Sequence, residues 1–392
     1  MNETANDIED YPRDRDYFFG ESGDIFQVLG YIHYDNKIHC LCKYEVIEGA
    51  DSSPGFSWHS NLTDRDYRRV IPHYSAETAT SNIKAHLHSE LSSFYGAEFI
   101  LYPKGEIRRY LSPQAKLSAL MEQFNANGIG ALKKYPKLSR EALECVFIIE
   151  ELLKIPPEQV GITGSILWDA AHDYSDIDLV VYGIDNVQRW LDGIDEMINV
   201  NRRFRRLNMS EIMQISSSFS KKTGIPVDDC IVFTSAKKYL QYFGDTYLSI
   251  AFSPCKDELV ANPLATRDTE ARNLKGFDRI KITAKVGDMS WGYFYPAIVP
   301  LKDVEILDCS SDRDSSMLNI QRLLVWEREC SGYYSEGDTV EVQGLVQRVE
   351  NVPRGYVSWD KRSVVFQTEE IDQIVIGTAE NYGHEFIKNV NL

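Results

Sequence analysis

The alternation of polar and apolar residues predicts strands near the two ends of the chain. Ile25 to Tyr34 and Lys37 to Ile47 alternate, and Asp35-Asn36 between them has the composition of a hairpin turn. Near the other end, Thr339 to Val349 alternates around an internal glycine, which is typical of a strand with a bulge. These patterns predict a β-rich region at each end of the chain.

Helical periodicity replaces this alternation in the middle of the chain. One periodic segment opens at Pro113 and runs to Phe124. A second runs to Lys154 from Ser139, whose side chain can cap the first turn of the helix. Two more helices are predicted at Val187 to Ile198 and at Ser210 to Lys222. The apolar run Leu179-Val180-Val181 between these helices is typical of a buried strand.

The length of the chain indicates more than one domain. Its 392 residues exceed what one ordinary hydrophobic core serves. We therefore predict an α+β or α/β fold with three domains. A core of mixed sheet and helices occupies residues 113–255, between a β-rich domain at 1–112 and another at 256–392.

Net charge and cysteine content limit the classes of partner. A formal net charge of −17 argues against broad binding to duplex nucleic acid, which requires a cationic surface, but is compatible with a local basic groove. The seven cysteines are an odd number, and Cys40-Leu41-Cys42 has the wrong spacing for a zinc knuckle. No segment has the pattern of a signal peptide or of a membrane span. We expect a reduced, soluble, cytoplasmic protein with no membrane partner.

Residue types that chemistry requires are concentrated between Gly161 and Gly183. Gly164-Ser165 is a small-residue turn before a short helical segment, where backbone N–H groups can receive a phosphate. Asp176 and Asp178 precede and enter the predicted strand, and side chains two positions apart lie on the same face of a strand. Because adjacent carboxylates repel each other, this pair predicts a site for a hard cation such as Mg²⁺ or Mn²⁺.

The same residues resemble the nucleotidyltransferase superfamily that includes DNA polymerase beta and the minimal nucleotidyltransferases. The matching pattern is Thr163-Gly164-Ser165, a spacer, and Asp176-Ile177-Asp178-Leu179. The resemblance implies that residues 113–255 are a nucleotidyltransferase core. It further implies that Asp176 and Asp178 are catalytic metal ligands and that Gly164 and Ser165 bind the phosphates of a nucleoside triphosphate such as ATP. A nucleoside monophosphate would pass to an acceptor hydroxyl on RNA, a small molecule or a protein.

The resemblance extends more loosely to most of the chain. Five segments are similar to an archaeal family of predicted nucleotidyltransferases that is often described as DNA polymerase beta-like. They are Ile25 to Tyr44, Ser175 to Gly183, Lys281 to Ala297, Glu336 to Gly344, and Gly383 to Ile387. The family implies neither an acceptor nor a preferred base.

Members of the superfamily carry a third carboxylate on a later strand, and three residues are candidates here. Asp288 follows the strand-like segment Arg279 to Val286, and we take it as the first choice. Asp229 comes second, because Val227 to Phe233 has an apolar pattern around it that suits a strand. Asp245 comes third, at the entrance of the predicted strand Thr246 to Phe252. Catalysis depends on one of them completing the site.

Three groups of cations are candidates for phosphate contact, with pairing to local carboxylates as the alternative. They are Arg65, Arg68 and Arg69; the run Asn201 to Arg206; and Lys237 with Lys238. A rival function also stays open. A chain that keeps the phosphate turn but lacks a working third carboxylate would be a nucleotide- or RNA-binding regulator on a degenerate transferase scaffold.

Overall fold

The residues that the structure describes fold into three β-sheets and several α-helices, which makes this a mixed α+β protein. A computed structural model describes residues 12–47, 57–71, 76–127, 136–172, 174–260, 268–310, 314–359, 363–379, 381 and 383–392. No helix in these ranges is both long enough and apolar enough to cross a membrane.

The strands of the described residues are numbered in chain order. They are β1 (Tyr17–Phe19), β2 (Ile25–Val28), β3 (Lys37–Val46), β4 (Ser57–Ser60), β5 (Arg65–Arg69), β6 (Ser89–Ser92), β7 (Ala97–Pro103), β8 (Arg109–Leu111), β9 (Val160–Ile162), β10 (Ile177–Tyr182), β11 (Phe204–Arg206), β12 (Leu240–Phe243), β13 (Thr246–Ser253), β14 (Glu270–Asn273), β15 (Ile280–Val286), β16 (Ala297–Cys309), β17 (Ile320–Val325), β18 (Thr339–Trp359), β19 (Ser363–Ile376) and β20 (Phe386–Asn389).

The α-helices of the same ranges are numbered likewise. They are α1 (Ala76–Ala85), α2 (Pro113–Asn127), α3 (Lys137–Leu153), α4 (Gly164–Leu167), α5 (Ile184–Val200), α6 (Met209–Thr223), α7 (Val227–Ala236) and α8 (Lys256–Val260). The helices predicted around 113–124, 139–154, 187–198 and 210–222 are confirmed as α2, α3, α5 and α6. Helix α3 begins earlier than predicted, at Lys137 after Pro136, and Ser139 is buried in its first turn without capping it.

The chain divides into two compact units. The first comprises Met1–Pro72, Tyr102–Asn208 and Lys238–Cys255, and the second comprises His73–Leu101, Met209–Lys237 and Lys256–Leu392. The predicted division into three domains, with boundaries at residues 112 and 255, is a different division and stays a prediction.

The first unit contains an antiparallel sheet, here called the N-terminal sheet, with strand order β4-β5-β3-β2-β1-β8. The predicted hairpin is confirmed: β2 pairs with β3, and Asp35 and Asn36 both have left-handed backbones, with φ of 54° and 58°. Asp and Asn adopt this conformation more readily than other non-glycine residues. The buried core of the sheet includes Trp168, whose ring lies 4.8 Å from Tyr44 and 5.2 Å from Tyr67.

The first unit also contains a mixed sheet, here called the central sheet, with strand order β11-β12-β13-β10-β9. Strands β10 and β13 are parallel, and the remaining pairs are antiparallel. Side chains on one face are buried, among them Leu179, Leu248 and Ile250. Helices α3 and α5 both contact β10 and pack against each other. The prediction of a mixed sheet with helices is therefore confirmed for this region.

The second unit combines a seven-stranded sheet with helices α6 and α7. Its core joins Phe219 of α6 and Phe233 of α7 to Ile280 and Ile282 of β15. The strand suggested at Val227 to Phe233 was wrong, because these residues form α7. Pro226 precedes the helix, and the negative charges of two aspartates in its first turn interact favourably with the positive end of the helix dipole.

Candidate functional site

The turn at Gly164 and the strand β10 are held together by backbone and side-chain packing. The Thr163 N–H donates to the Asp178 carbonyl oxygen at 2.9 Å, which ends the β9–β10 pairing at the turn. Gly164 has a left-handed φ of +64°, and a Cβ atom built on it would lie 2.1 Å from Oδ2 of Asp178. No real Cβ tolerates such a contact. The Asp178 carboxylate therefore rests directly on the glycine, in space that any other residue would fill.

Asp176 lies just before β10, close enough to Asp178 for the two charges to interact. Loss of hydration, followed by the charge of Asp178, raises the pKa of Asp176 to about 6, while the Arg69 guanidinium acts in the opposite direction. Asp176 keeps more than a third of its surface in solvent, so its carboxylate remains accessible to an ion. The structure thus brings Gly164, Asp176 and Asp178 together, with Arg69 of β5 as a nearby cation.

The segment after the Gly-Ser turn is fixed by the N-terminal sheet. The Ser60 hydroxyl donates to the Trp168 carbonyl at 2.7 Å, and the Asn61 N–H donates to the Asp169 carbonyl at 3.0 Å. The Lys116 ammonium pairs with the Asp169 carboxylate. Ser165 itself is half-buried, and its carbonyl accepts from the Ala170 N–H at 2.9 Å. This support comes from residues far away in sequence.

The N-terminal segment covers part of the Asp178 face of the central sheet. The Arg13 guanidinium lies 4.3 Å from the ring centroid of Tyr182, which shares this face with Asp178. The Thr163 hydroxyl also donates to the Arg15 carbonyl at 2.8 Å. The N-terminal segment therefore covers the Tyr182 end of this face.

The position beside Asp178 on the neighbouring strand is Ser249. These two residues are paired in the parallel register of β10 and β13, so their side chains point to the same face. Asp245 lies four residues before Ser249, in the turn between β12 and β13. At the rise of a strand this is about 13 Å along the sheet. Asp245 thus lies at the entrance of β13, as predicted, and away from the position beside Asp178.

The other two candidates for the third carboxylate belong to the second unit and have local partners there. Asp229 accepts from the Lys388 ammonium at 2.6 Å and lies on helix α7 instead of a strand. One carboxylate oxygen of Asp288 accepts from the Ser290 N–H at 2.8 Å and from its hydroxyl at 2.6 Å, which closes a turn after β15. The assignment of Asp288 as a catalytic residue stays a prediction.

Several of the candidate cations have carboxylate, backbone or aromatic partners. Arg68 pairs with Glu45, Arg203 with Glu144, and Arg206 with Asp195. Lys238 pairs with Asp195 as well, and buried Lys237 donates to the Glu329 carbonyl at 2.7 Å. Arg69 lies near Asp176, and the Arg205 guanidinium stacks on the Tyr242 ring.

Comparisons of the chain with protein families, with curated proteins and with solved structures found no match in any of the three. The chemistry of this site therefore follows from its own residues.

The residues present fit one divalent cation with oxygen ligands. Two adjacent carboxylates, one of them with a pKa raised to about 6, are electrostatically unfavourable without a positive charge. Gly164 places no Cβ against Oδ2 of Asp178. Among the described residues, no group of three or more His, Cys, Asp and Glu side chains is placed to hold a metal. An ion bound here would need water or substrate oxygens to complete its coordination, as Mg²⁺ commonly does.

We expect metal binding to depend on pH through Asp176. An aspartate in an unfolded chain titrates near pH 3.9, whereas the pKa of folded Asp176 is about 6. The folded protein binds this proton more tightly than the unfolded chain does. The stability that protonated Asp176 contributes is therefore lost as pH rises, and it is gone above about pH 6. Mg²⁺ should therefore raise the midpoint of thermal unfolding clearly at pH 7 and much less at pH 5. Calorimetry at both pH values checks this.

Asp176→Asn is the control for this experiment, since the Mg²⁺ effect should vanish at both pH values. An Mg²⁺ effect that is equal at pH 5 and pH 7 in the unaltered protein would contradict the expectation.

Proposed function

We propose that this chain is a metal-dependent nucleotidyltransferase that moves a nucleoside monophosphate from a nucleoside triphosphate to an acceptor hydroxyl. The observation that carries the proposal is the Asp178 carboxylate seated on Gly164 with Asp176 beside it. In the reaction, the acceptor oxygen bonds to the α-phosphorus and the bond to the β-phosphate breaks. Pyrophosphate leaves, and the hydroxyl proton passes to water.

The roles of the residues follow from their positions. Asp176 and Asp178 hold Mg²⁺ or Mn²⁺, which supplies charge stabilisation to the phosphates when bound. Gly164 and Ser165 take the β- and γ-phosphates, with Arg69 as a neighbouring positive charge. Positioning and charge stabilisation account for most of the catalysis in phosphoryl transfer.

The cellular setting that we propose is the cytoplasm. All seven cysteines are free thiols, which supports a reducing compartment. The acceptor class is RNA, a small molecule or a protein.

The test is incorporation of label. The protein is incubated with each nucleoside triphosphate labelled at the α-phosphate, with Mg²⁺ or Mn²⁺, and with cellular RNA, a metabolite extract or cellular protein. The expected result is metal-dependent transfer of label to one acceptor class, with release of pyrophosphate. Absence of transfer under all triphosphates, metals and acceptors, in a protein that binds nucleotide, would overturn the proposal.

Ser249 favours a second candidate function, a regulator that binds a nucleotide without transferring it. A serine beside Asp178 cannot act as a third metal ligand of the strength of a carboxylate. In this alternative, the chain binds a nucleoside triphosphate with its metal and the bound state alone is the signal.

Ser249→Asp separates the two candidates. The new carboxylate lies beside Asp178, so we expect Mn²⁺ to bind roughly tenfold more tightly, as the charge count of the site rises. Ser249→Asn has nearly the same shape without the charge and should leave the affinity unchanged. Electron paramagnetic resonance of free Mn²⁺ measures both. Unchanged affinity in Ser249→Asp would contradict the placement of the ion, and label transfer that appears only in this variant would favour the regulator.

A further inference from the structure

The face of the central sheet that carries Asp178 continues across three more strands. Ser249 of β13 is paired with Asp178, and Tyr247 lies two residues earlier on the same face. Tyr242 of β12 is paired with Tyr247, and Arg205 of β11 is paired with Tyr242. Directly opposed residues point to the same side of a sheet. We call these four residues, Ser249, Tyr247, Tyr242 and Arg205, the tyrosine strip.

Burial distinguishes the two faces of these strands. Gln241, Phe243, Leu248 and Ile250 point the other way and are all buried, on the side of the sheet that faces α3 and α5. Each member of the tyrosine strip is only partly buried, as is Asp178. The strip is therefore a solvent-accessible surface that begins at the candidate metal site.

The side chains of the strip are arranged as a row of flat groups with a positive end. The Arg205 guanidinium carbon lies 3.7 Å from the ring centroid of Tyr242, which is stacking distance. The rings of Tyr242 and Tyr247 meet edge to face, 5.4 Å apart at 75°. Arg205 is oriented by a bond from its Nη1 to the Arg206 carbonyl at 3.1 Å. Aromatic rings and guanidinium planes in series are the surfaces on which unpaired bases stack.

The length of the strip exceeds one nucleotide. Two strand spacings separate β13 from β11, or about 10 Å at about 4.8 Å each. Stacked nucleotides advance by about 3.4 Å along one strand, so the strip accommodates roughly three of them. The far end of the strip carries the positive charge of Arg205, which suits a polyanionic occupant.

We propose that the tyrosine strip binds the end of a single-stranded polynucleotide and presents its terminal hydroxyl to the site at Asp178. The inference rests on the proposed function and names its acceptor class, in preference to a small molecule or a protein. Bases stack on Tyr242, Tyr247 and the Arg205 plane, and Arg205 also neutralises backbone phosphate. Duplexes are excluded because their bases cannot reach the rings.

The test measures binding separately from transfer. The full chain is titrated against fluorescent single-stranded RNA and DNA oligonucleotides of about 12 nucleotides, a length within the range of single-strand sites, and anisotropy is recorded in Mg²⁺ at several salt concentrations. Tyr242→Leu and Tyr247→Leu should each weaken binding about tenfold or more, while Tyr242→Phe keeps the ring and binds within about twofold of the unaltered chain. The RNA and DNA arms identify which polynucleotide is the acceptor.

Arg205→Gln tests the positive end of the strip. It should weaken oligonucleotide binding. It should also reduce the slope of the logarithm of the binding constant against the logarithm of salt concentration by about the contribution of one phosphate contact. Arg272→Gln is the matched control, because Arg272 is an exposed arginine of β14 that pairs with Glu350, and its removal should leave binding unchanged. If a leucine variant loses its cooperative unfolding transition, the comparison of Arg205→Gln with Arg272→Gln decides.

Two results would overturn the inference: an unaltered chain that binds neither oligonucleotide, or leucine and Arg205 variants that bind as the unaltered chain does. The failure of the proposed function looks different. In that case oligonucleotides bind through the strip, but no α-phosphate label is transferred to them with any metal. Asp178→Asn should bind oligonucleotides at least as tightly as the unaltered chain, since it removes a negative charge near the strip.

Discussion

Asp178→Asn is expected to lower metal-dependent transfer of nucleotide label by at least about a thousandfold. Asparagine has the size of aspartate, so its side chain still fits against Gly164. The substitution removes only the negative charge that binds the cation. Initial rates of label transfer at saturating metal and triphosphate measure the loss, and Mn²⁺ titration measures the accompanying loss of affinity.

The pKa of Asp176 provides a second measurement of the effect of Asp178→Asn. The Asp178 charge is the second cause, after lost hydration, of the raised pKa of Asp176. In Asp178→Asn the pKa of Asp176 should therefore fall from about 6 towards its ordinary value, which carboxyl NMR titration of the metal-free protein can follow.

Asp245→Asn is the matched control for Asp178→Asn. It makes the same change in the same unit, in the turn before β13, about 13 Å along the sheet from the position beside Asp178. Transfer should stay within about twofold of the unaltered rate, since long-range charge effects at the surface are small. Equal losses in both variants would mean that Asp178 has no special relation to the metal.

The elements that sequence predicted well are those with a local cause. The β2–β3 hairpin depends on two alternating segments and an Asp-Asn turn that tolerates left-handed backbone, and all three can be seen in consecutive residues. The buried strand β10 follows from an apolar run. The failure at Val227 to Phe233 has a physical reason. A short apolar segment with two aspartates suits a strand or the first turn of a helix, and packing of Cys230 and Phe233 into the second unit's core selected the helix.

The residues of the candidate site also fall into two groups, those close in sequence and those brought together by packing. Gly164, Asp176 and Asp178 could be predicted because they lie in one short segment, and the pattern that carries the resemblance groups the turn with the strand. Arg69 and Ser60 could not, because they approach the site only after the N-terminal sheet packs on the segment around Trp168. Lys116 could not, because its pairing with Asp169 depends on how helix α2 packs. Ser249 was missed for a related reason. The strand β13 was predicted, but its register against β10 is fixed by packing and is not visible in the sequence.

The register also explains why the tyrosine strip has no signature in the sequence. Arg205, Tyr242 and Tyr247 are spread over three strands, and only the pairing of β11 with β12 and of β12 with β13 aligns them. The basic run Asn201 to Arg206 suggested a phosphate-binding surface. Strand alternation then divides its arginines, since Arg205 points to the strip whereas Arg206 pairs with Asp195 of α5 on the other face.

Gly164→Ala is expected to abolish metal binding at Asp178 and to lower transfer at least about a hundredfold, because a small displacement of a catalytic group has effects of this size. The added Cβ would lie 2.1 Å from Asp178 Oδ2 and 2.9 Å from its carboxyl carbon, so the carboxylate must move away. The left-handed backbone at Gly164 adds about 1 kcal/mol of strain to any non-glycine residue. Mn²⁺ titration, label transfer and thermal unfolding measure the three effects.

Gly244→Ala separates the effect of the clash with Asp178 from the effect of strain in a left-handed backbone. Gly244 has nearly the same backbone, with φ of +61° against +64° for Gly164, but the atom nearest to its added Cβ is a guanidinium nitrogen of Arg203 at 3.7 Å, which is ordinary contact. Both variants should lose about 1 kcal/mol of unfolding free energy from strain. Only Gly164→Ala should lose metal binding and transfer. If the two variants lose activity equally, global destabilisation is the cause, and the contact between Gly164 and Asp178 does not define a functional site.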